Sequence, residues 1–161
     1  KEMKRYRSFL TVLAEAKLGD CFEAAGRIMM KLPDEMEKAG MKCVHAFVYG
    51  EGKLKGRRFE HAFNKLGDVV FDNSNGKTVT MRKEAYFKQA RINPKEKGAY
   101  VEYDKEKTMV NMLKYKHWGP WELNNALIEE IPDDKKEIGK KKLRISPKIL
   151  QTIKDKVNGQ I

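Results

Sequence analysis

Three side chains that could carry out nucleophilic acyl transfer occur in the order Cys21, His61 and Asp72 along the chain. A thiol can attack a carbonyl carbon, an imidazole can remove and return a proton, and a carboxylate can hold the imidazole in one orientation. Cys21 lies where a helix is predicted to begin, whereas His61 lies in a strand-like run and Asp72 ends the next such run. The order and settings of the three residues predict a thiol enzyme.

The residues around Cys21 predict the start of a helix. Asp20 and Glu23 form a D-x-x-E pattern, which is typical of a capping box, and the helix should run to about Leu32. Free backbone N–H groups and the dipole at a helix start favour a thiolate and can bind the oxyanion of an acyl intermediate. The Asp20 carboxylate opposes a thiolate unless it is bound by backbone donors as the cap. The alternative for Cys21 is a small buried hydrophobic residue.

His61 and Asp72 are expected on neighbouring strands. Alternation places Phe59, His61 and Phe63 on one face of a strand, so the imidazole shares its face with aromatic rings. Gly67 marks a turn between the two runs, and antiparallel pairing could bring the Asp72 carboxylate against the imidazole. The alternatives are a satisfied core histidine and an aspartate that serves only the turn that follows it. The joint occurrence with Cys21 favours the catalytic interpretation.

Three short motifs resemble the core of the papain-like and transglutaminase-like cysteine enzymes. They are Gly-Asp-Cys-Phe-Glu-Ala-Ala at 19–25, His-Ala-Phe at 61–63 and Val-Phe-Asp at 70–72. The resemblance covers about residues 17–104. It implies that Cys21 is the nucleophile, His61 the general base and Asp72 the orienting acid, on a core in which the helix that begins at the cysteine packs on an antiparallel sheet.

Two departures from the family pattern bear on the reaction. Phe63 stands where Trp is frequent in the transglutaminase-like branch, and no Gln or Asn before Cys21 could serve as a side-chain oxyanion donor. Peptidase, transglutaminase and deamidase activities therefore remain open, as does an inactive relative. The expected substrate is a protein or a peptide-like molecule.

The hydrophobic pattern independently predicts an α+β fold in which helices precede a run of antiparallel strands. The predicted helices cover residues 3–13, 20–32, 35–38, 82–91, 104–115 and 146–157. The predicted strands cover residues 41–49, 59–63, 69–71, 78–80 and 99–103. We expect one catalytic domain over residues 1–125 and a basic C-terminal extension over residues 126–161, whose helix begins at the Ser146-Pro147 pair.

The chain has 161 residues and a formal net charge of +11, and the positive charge is densest in Lys140-Lys141-Lys142-Leu143-Arg144. Such a segment raises affinity for nucleic acid or another polyanion through counterion release. The alternative is a solvated, solubilising extension. A non-enzymatic nucleic-acid-binding protein is therefore the rival to the thiol enzyme.

Two cysteines, Cys21 and Cys43, do not make a disulfide framework, which favours a reducing, cytoplasmic location. Apolar runs are too short to span a membrane, and we expect neither membrane association nor a signal peptide. Cys43 and His45 could join Cys21 and His61 in a thiol–imidazole zinc set. No C-x-x-C or H-x-x-x-H spacing supports that set, so we predict neither a metal nor an organic cofactor.

Overall fold

The structure is a computed structural model that describes residues 20–127 and 143–159. Within these ranges, five strands form one antiparallel sheet in the order β4-β3-β2-β1-β5. They are β1 (Lys42–Tyr49), β2 (Arg58–Leu66), β3 (Val69–Asp72), β4 (Val79–Arg82) and β5 (Tyr100–Tyr103). The predicted helix over residues 3–13 and most of the lysine-rich run lie outside the described residues.

Five α-helices accompany the sheet in the described part of the chain. They are α1 (Cys21–Met30), α2 (Asp34–Lys38), α3 (Lys83–Ala90), α4 (Lys105–Tyr115) and α5 (Pro147–Asn158). The predicted α+β class is confirmed, and each predicted element in these ranges occurs within a few residues of its expected bounds. Asp104 caps α4 as expected, because its side chain accepts a hydrogen bond of 2.8 Å from the Lys107 N–H.

The sheet separates two layers of helices, because successive residues of a strand point to opposite faces. On one face, α1 and α2 bury apolar side chains against Cys43, Ala62 and Phe71. On the other face, α3 packs Tyr86 among strand residues that include Phe63. Strand β1 is therefore covered on both sides along nearly its whole length, whereas β2 is fully buried only from Ala62 to Asn64.

Strand β2 pairs with β1 along more of its length than it pairs with β3. All of β1 pairs with β2, and Ala46 lies opposite His61. The pairing of β2 with β3 extends only from Asn64 to Leu66. The main chain beside His61 therefore has a strand neighbour on the β1 side and no paired residue of β3 on the other. This gap in the ladder leaves an edge of β2 open next to the imidazole.

Helix α5 packs on α1 and α4. Ile153 has no exposed surface and belongs to a hydrophobic cluster that includes Met30 and Met112. The Lys156 ammonium donates a hydrogen bond of 2.6 Å to the Met30 carbonyl at the end of α1. The division at residue 125 remains a prediction, but α5 itself contributes to the core that supports α1. No helix in the described ranges is long and apolar enough to cross a membrane.

We predict that Ile153→Ala lowers the free energy of unfolding by about 2–5 kcal/mol, because it removes buried methyl groups and leaves a cavity. Lys154→Ala, on the exposed side of the same helix, should change it by less than about 0.5 kcal/mol. Urea unfolding followed by the fluorescence of Trp118, a member of the same cluster, measures both. Equal stability of the two variants would show that α5 is separable from the core.

Candidate functional site

The candidate site is built around a contact between His61 on β2 and Asp72 at the end of β3. The imidazole Nε2 lies 2.9 Å from the carboxylate Oδ2. Both side chains are 12% exposed, so the contact is largely shielded from water. Antiparallel pairing of β2 with β3 places the two residues together, as the turn at Gly67 predicted.

Asp72 is held by donors from two further elements. The Tyr86 hydroxyl on α3 donates a hydrogen bond of 2.7 Å to Oδ2, and the Ser74 N–H donates one of 3.0 Å to Oδ1. Burial alone would raise the pKa of Asp72. The charge of His61 and the hydrogen bonds from His61, Tyr86 and Ser74 outweigh burial and hold that pKa far below its usual value. Asp72 is therefore a carboxylate that can only accept.

Tyr86 is the member of the site that the sequence did not identify. Burial, followed by the negative charge of Asp72, raises the pKa of its hydroxyl, so that the group remains a donor. The sequence predicted a helix over residues 82–91 and assigned no role to Tyr86. Nothing in the sequence distinguished Tyr86 from the neighbouring Phe87 as a site residue, because the hydrogen-bond partner of the Tyr86 hydroxyl lies on another element.

Cys21 is the first residue of α1, is partly buried and interacts with His61. Burial alone would lower the pKa of His61. The charges of Cys21 and Asp72, together with hydrogen bonds to both, raise it well above the ordinary histidine value. Asp72 binds Nε2, which leaves Nδ1 to face a neighbouring thiol in the chemistry proposed below. The three predicted residues thus form one chain from thiol to imidazole to carboxylate.

Cys21 and His61 belong to opposite faces of the sheet, and their side chains interact. Cys21 packs on the hydrophobic cluster below α1, which includes Cys43 and Ala62. His61 is adjacent to Ala62 in the strand and therefore belongs to the face that α3 covers. The gap beside His61, where β3 no longer pairs with β2, is the place where the two faces are not separated by a continuous ladder.

The capping box predicted for α1 is wrong. Asp20 occupies the N-cap position, but its side chain makes no capping hydrogen bond. Glu23 instead accepts a hydrogen bond of 2.7 Å from Arg27 Nε, one turn later in α1. The first-turn N–H groups are therefore not bound by the Asp20 carboxylate. They lie beside Cys21, where an oxyanion would form.

A second thiol–imidazole pair, Cys43 and His45, lies in the core on the α1 side of the sheet. The Cys43 Sγ is 3.8 Å from His45 Nε2, and neither residue has exposed surface. Burial, followed by the nearby charge of Cys21, raises the pKa of Cys43 strongly. Burial, followed by the charge of His117, lowers the pKa of His45 to about 3. This pair is therefore neutral, and no hydrogen bond to a carboxylate is found for it among residues 20–127 and 143–159.

The two thiol–imidazole pairs do not combine into the zinc set considered above. His45 lies opposite Ala62 in the β1–β2 pairing, and His61 lies opposite Ala46, so the two imidazoles are on opposite faces. Over residues 20–127 and 143–159, no group of three or more His, Cys, Asp or Glu side chains is placed to hold a metal ion. The ring of His45 instead packs against Phe22 and Trp121.

Comparisons of the chain with protein-family models, with curated proteins and with solved structures found no match.

We predict that Asp72→Asn lowers the pKa of His61, because it removes the negative charge and the acceptor that favour the imidazolium. A titration of the imidazole nitrogens by NMR measures this pKa directly. Asp68→Asn changes an exposed carboxylate in the turn before β3 and should leave it unchanged. An Asp72→Asn protein with an unaltered His61 pKa would contradict the assigned contact.

We predict that His45 makes the protein less stable as the pH falls. The unfolded chain binds a proton at His45 below pH 6.5, whereas the folded chain does so only near pH 3. The free energy of unfolding should therefore fall with decreasing pH by a slope that approaches about 1.4 kcal/mol per pH unit. His61, whose pKa is raised, is protonated in both states below its ordinary value of 6.5 and adds no slope there.

Urea unfolding of the wild type and of His45→Gln between about pH 6 and pH 5 tests this, above the range in which most carboxylates titrate. The variant should show the shallower dependence of stability on pH. Parallel slopes would mean that His45 is already protonated in the folded protein.

Proposed function

We propose that this protein is a thiol-dependent hydrolase or acyltransferase that acts on an amide or a related acyl bond. The observation that carries the proposal is the chain of contacts from Cys21 to His61 to Asp72. A thiol enzyme needs a nucleophile, a base in contact with it and a group that orients the base. The raised pKa of His61 supports the proposal, because an imidazole that holds its proton tightly can keep the proton of a neighbouring thiol.

The reaction has two halves. His61 takes the proton of the Cys21 thiol while Sγ forms a bond to the carbonyl carbon of the substrate. The tetrahedral intermediate then loses its amine, which leaves with the proton from His61, and a thioester to Cys21 remains. Water or a second amine attacks the thioester and gives its proton to His61. The carbon–sulfur bond breaks, the product leaves, and the thiol regains its proton.

Two local features support these steps. The first-turn N–H groups of α1 would bind the oxyanion of each tetrahedral intermediate. In enzymes of this kind, removal of one oxyanion donor typically lowers the rate by a factor of about 10²–10³. Asp72 would hold the imidazole in the tautomer that directs Nδ1 toward Cys21, since Nε2 is engaged with the carboxylate. Tyr86 and Ser74 position Asp72 and do not contact the reacting atoms.

The architecture supports a relation to the papain-like and transglutaminase-like enzymes. A helix that begins at Cys21 packs on an antiparallel sheet whose adjacent strands supply His61 and Asp72. We propose this relation for residues 21–103, with a protein or peptide-like substrate. Peptidase, transglutaminase and deamidase reactions all fit the same three residues.

Charge supports a second candidate function, the binding of nucleic acid or another polyanion without catalysis. The chain carries a formal net charge of +11. Helices α4 and α5 expose Lys107, Lys114, Lys148 and Lys154 on the described surface. Polyanion binding of this kind weakens steeply with salt and does not require a reactive thiol.

We predict that iodoacetamide alkylates Cys21 at least about tenfold faster than Cys43 at neutral pH, since the thiolate is the reactive form and Cys43 is buried with a raised pKa. Mass spectrometry of digested protein gives both rates. His61→Ala should slow alkylation of Cys21. Cys21→Ala should abolish acyl transfer on an identified substrate and keep the folded state.

Slow alkylation of Cys21, together with salt-sensitive binding of DNA or RNA, would instead favour the second candidate. Because Cys43 is present in every variant, it serves as the internal reference for global unfolding. Fast labelling of both cysteines would mean that the protein had opened.

A further inference from the structure

A cavity of about 280 Å³ lies between the sheet and α3, on the side of His61 away from the body of α1. His61, Asp72 and Tyr86 form one part of its wall. Apolar side chains of Val48, Phe59, Val79, Met81 and Ala90 form much of the remaining wall, and the end of β1 with the turn after it and Gln89 of α3 complete it. The volume falls just below the range of about 300–1,000 Å³ that is typical of ligand pockets, so the cavity suits one large side chain rather than a peptide.

The cavity lining includes two carboxylates, although the chain as a whole is basic, and the carboxylate of Asp72 is bound by His61. Glu51 and Asp72 line the cavity, and its described lining includes no Lys or Arg. Glu51 accepts a hydrogen bond of 3.2 Å from Gln89, so an exposed carboxylate bridges the turn after β1 to α3. A carboxylate entering the cavity would meet like charge in a partly apolar setting, which is unfavourable. An uncharged apolar group would not be repelled by a carboxylate and would not lose hydration of a charge on entering the cavity.

The cavity adjoins the proposed nucleophile through two of its lining residues. His61 lines the cavity and also interacts with Cys21, and Tyr86, a second lining residue, is bound to the same Asp72 carboxylate as His61. A molecule whose carbonyl carbon reaches Cys21 therefore lies next to a residue of the cavity wall. One substituent of that molecule can extend past the imidazole into the cavity.

We propose that this cavity is the specificity pocket of the enzyme and that it selects substrates bearing an uncharged apolar group close to the reacting carbonyl. The proposal rests on the thiol-enzyme function proposed above. The group can be an apolar side chain of a peptide or the apolar part of another acyl compound, since both present the same surface. The carboxylate of Glu51 disfavours the corresponding acidic groups.

The test compares three thiol reagents by the second-order rate constant for alkylation of Cys21. They are iodoacetamide, N-benzyl iodoacetamide and the same benzyl reagent with a para-carboxylate. In each, Cys21 forms a bond to carbon and iodide leaves, so only the substituent differs. We expect the benzyl reagent to react about tenfold faster than iodoacetamide, which is the lower end of what an apolar group gains in a pocket. The carboxylated reagent should lose that advantage.

Two variants assign the preference to the cavity. Val79 is 42% exposed and lines the cavity, so Val79→Trp should fill it without loss of folding and should remove the benzyl preference. Arg82→Trp places the same ring on β4 at an exposed position outside the lining and should keep the preference. Glu51→Gln should speed reaction with the carboxylated reagent, whereas Glu84→Gln, at an exposed position of α3 outside the lining, should not.

The reagents separate failure of the pocket from failure of the enzyme proposal. Fast reaction of Cys21 with iodoacetamide but no benzyl preference would overturn the pocket and leave the thiol-enzyme proposal standing. Slow reaction with iodoacetamide itself would contradict the proposed function. A benzyl preference that survives Val79→Trp while that variant melts at the wild-type temperature would place the apolar contact elsewhere and would also overturn the pocket.

Discussion

The buried carboxylate of Asp72 is the constraint on which the site depends. Removing a carboxylate from water costs several kcal/mol unless donors replace the water, and here the donors come from three elements. β2 supplies His61, α3 supplies Tyr86, and the turn after β3 supplies the Ser74 N–H. The position of α3 over the sheet and the end of β3 are therefore coupled to the orientation of the imidazole. Stability and the proposed chemistry share the same contacts.

The two thiol–imidazole pairs show how environment decides chemistry among identical residue types. Cys43 and His45 have no exposed surface, and in the described part of the chain no carboxylate binds them, so burial drives both toward their neutral forms. His61 is nearly as shielded, but the negative charges around it reverse the effect of burial. A base that keeps a proton next to a thiol is what an acyl-transfer site requires. The other pair has the properties of packing residues.

The charge of the cavity lining differs in sign from the net charge of the chain. The formal net charge is +11, yet the cavity beside His61 is lined by Glu51 and Asp72 and by no Lys or Arg of the described residues. The exposed lysines of α4 and α5 lie on other elements. Net charge sets the long-range field of the molecule, whereas the local charges set the potential within the cavity. A polyanionic partner and an apolar substrate group are compatible on one molecule.

The sequence by itself determined the α+β class, the bounds of most elements and the order of Cys21, His61 and Asp72, because alternation and helical periodicity are local signals. Only the tertiary structure decided that Tyr86 binds Asp72, that Cys43 and His45 are buried apart from the site, and that a cavity adjoins His61. The capping box failed because the backbone of Asp20, at φ −101° and ψ 36°, is not in the extended form of a typical N-cap, and because Glu23 binds Arg27 instead. The remaining features depend on strand register and on helices that pack from distant parts of the chain. The residues next to a group in the sequence do not determine whether that group is buried.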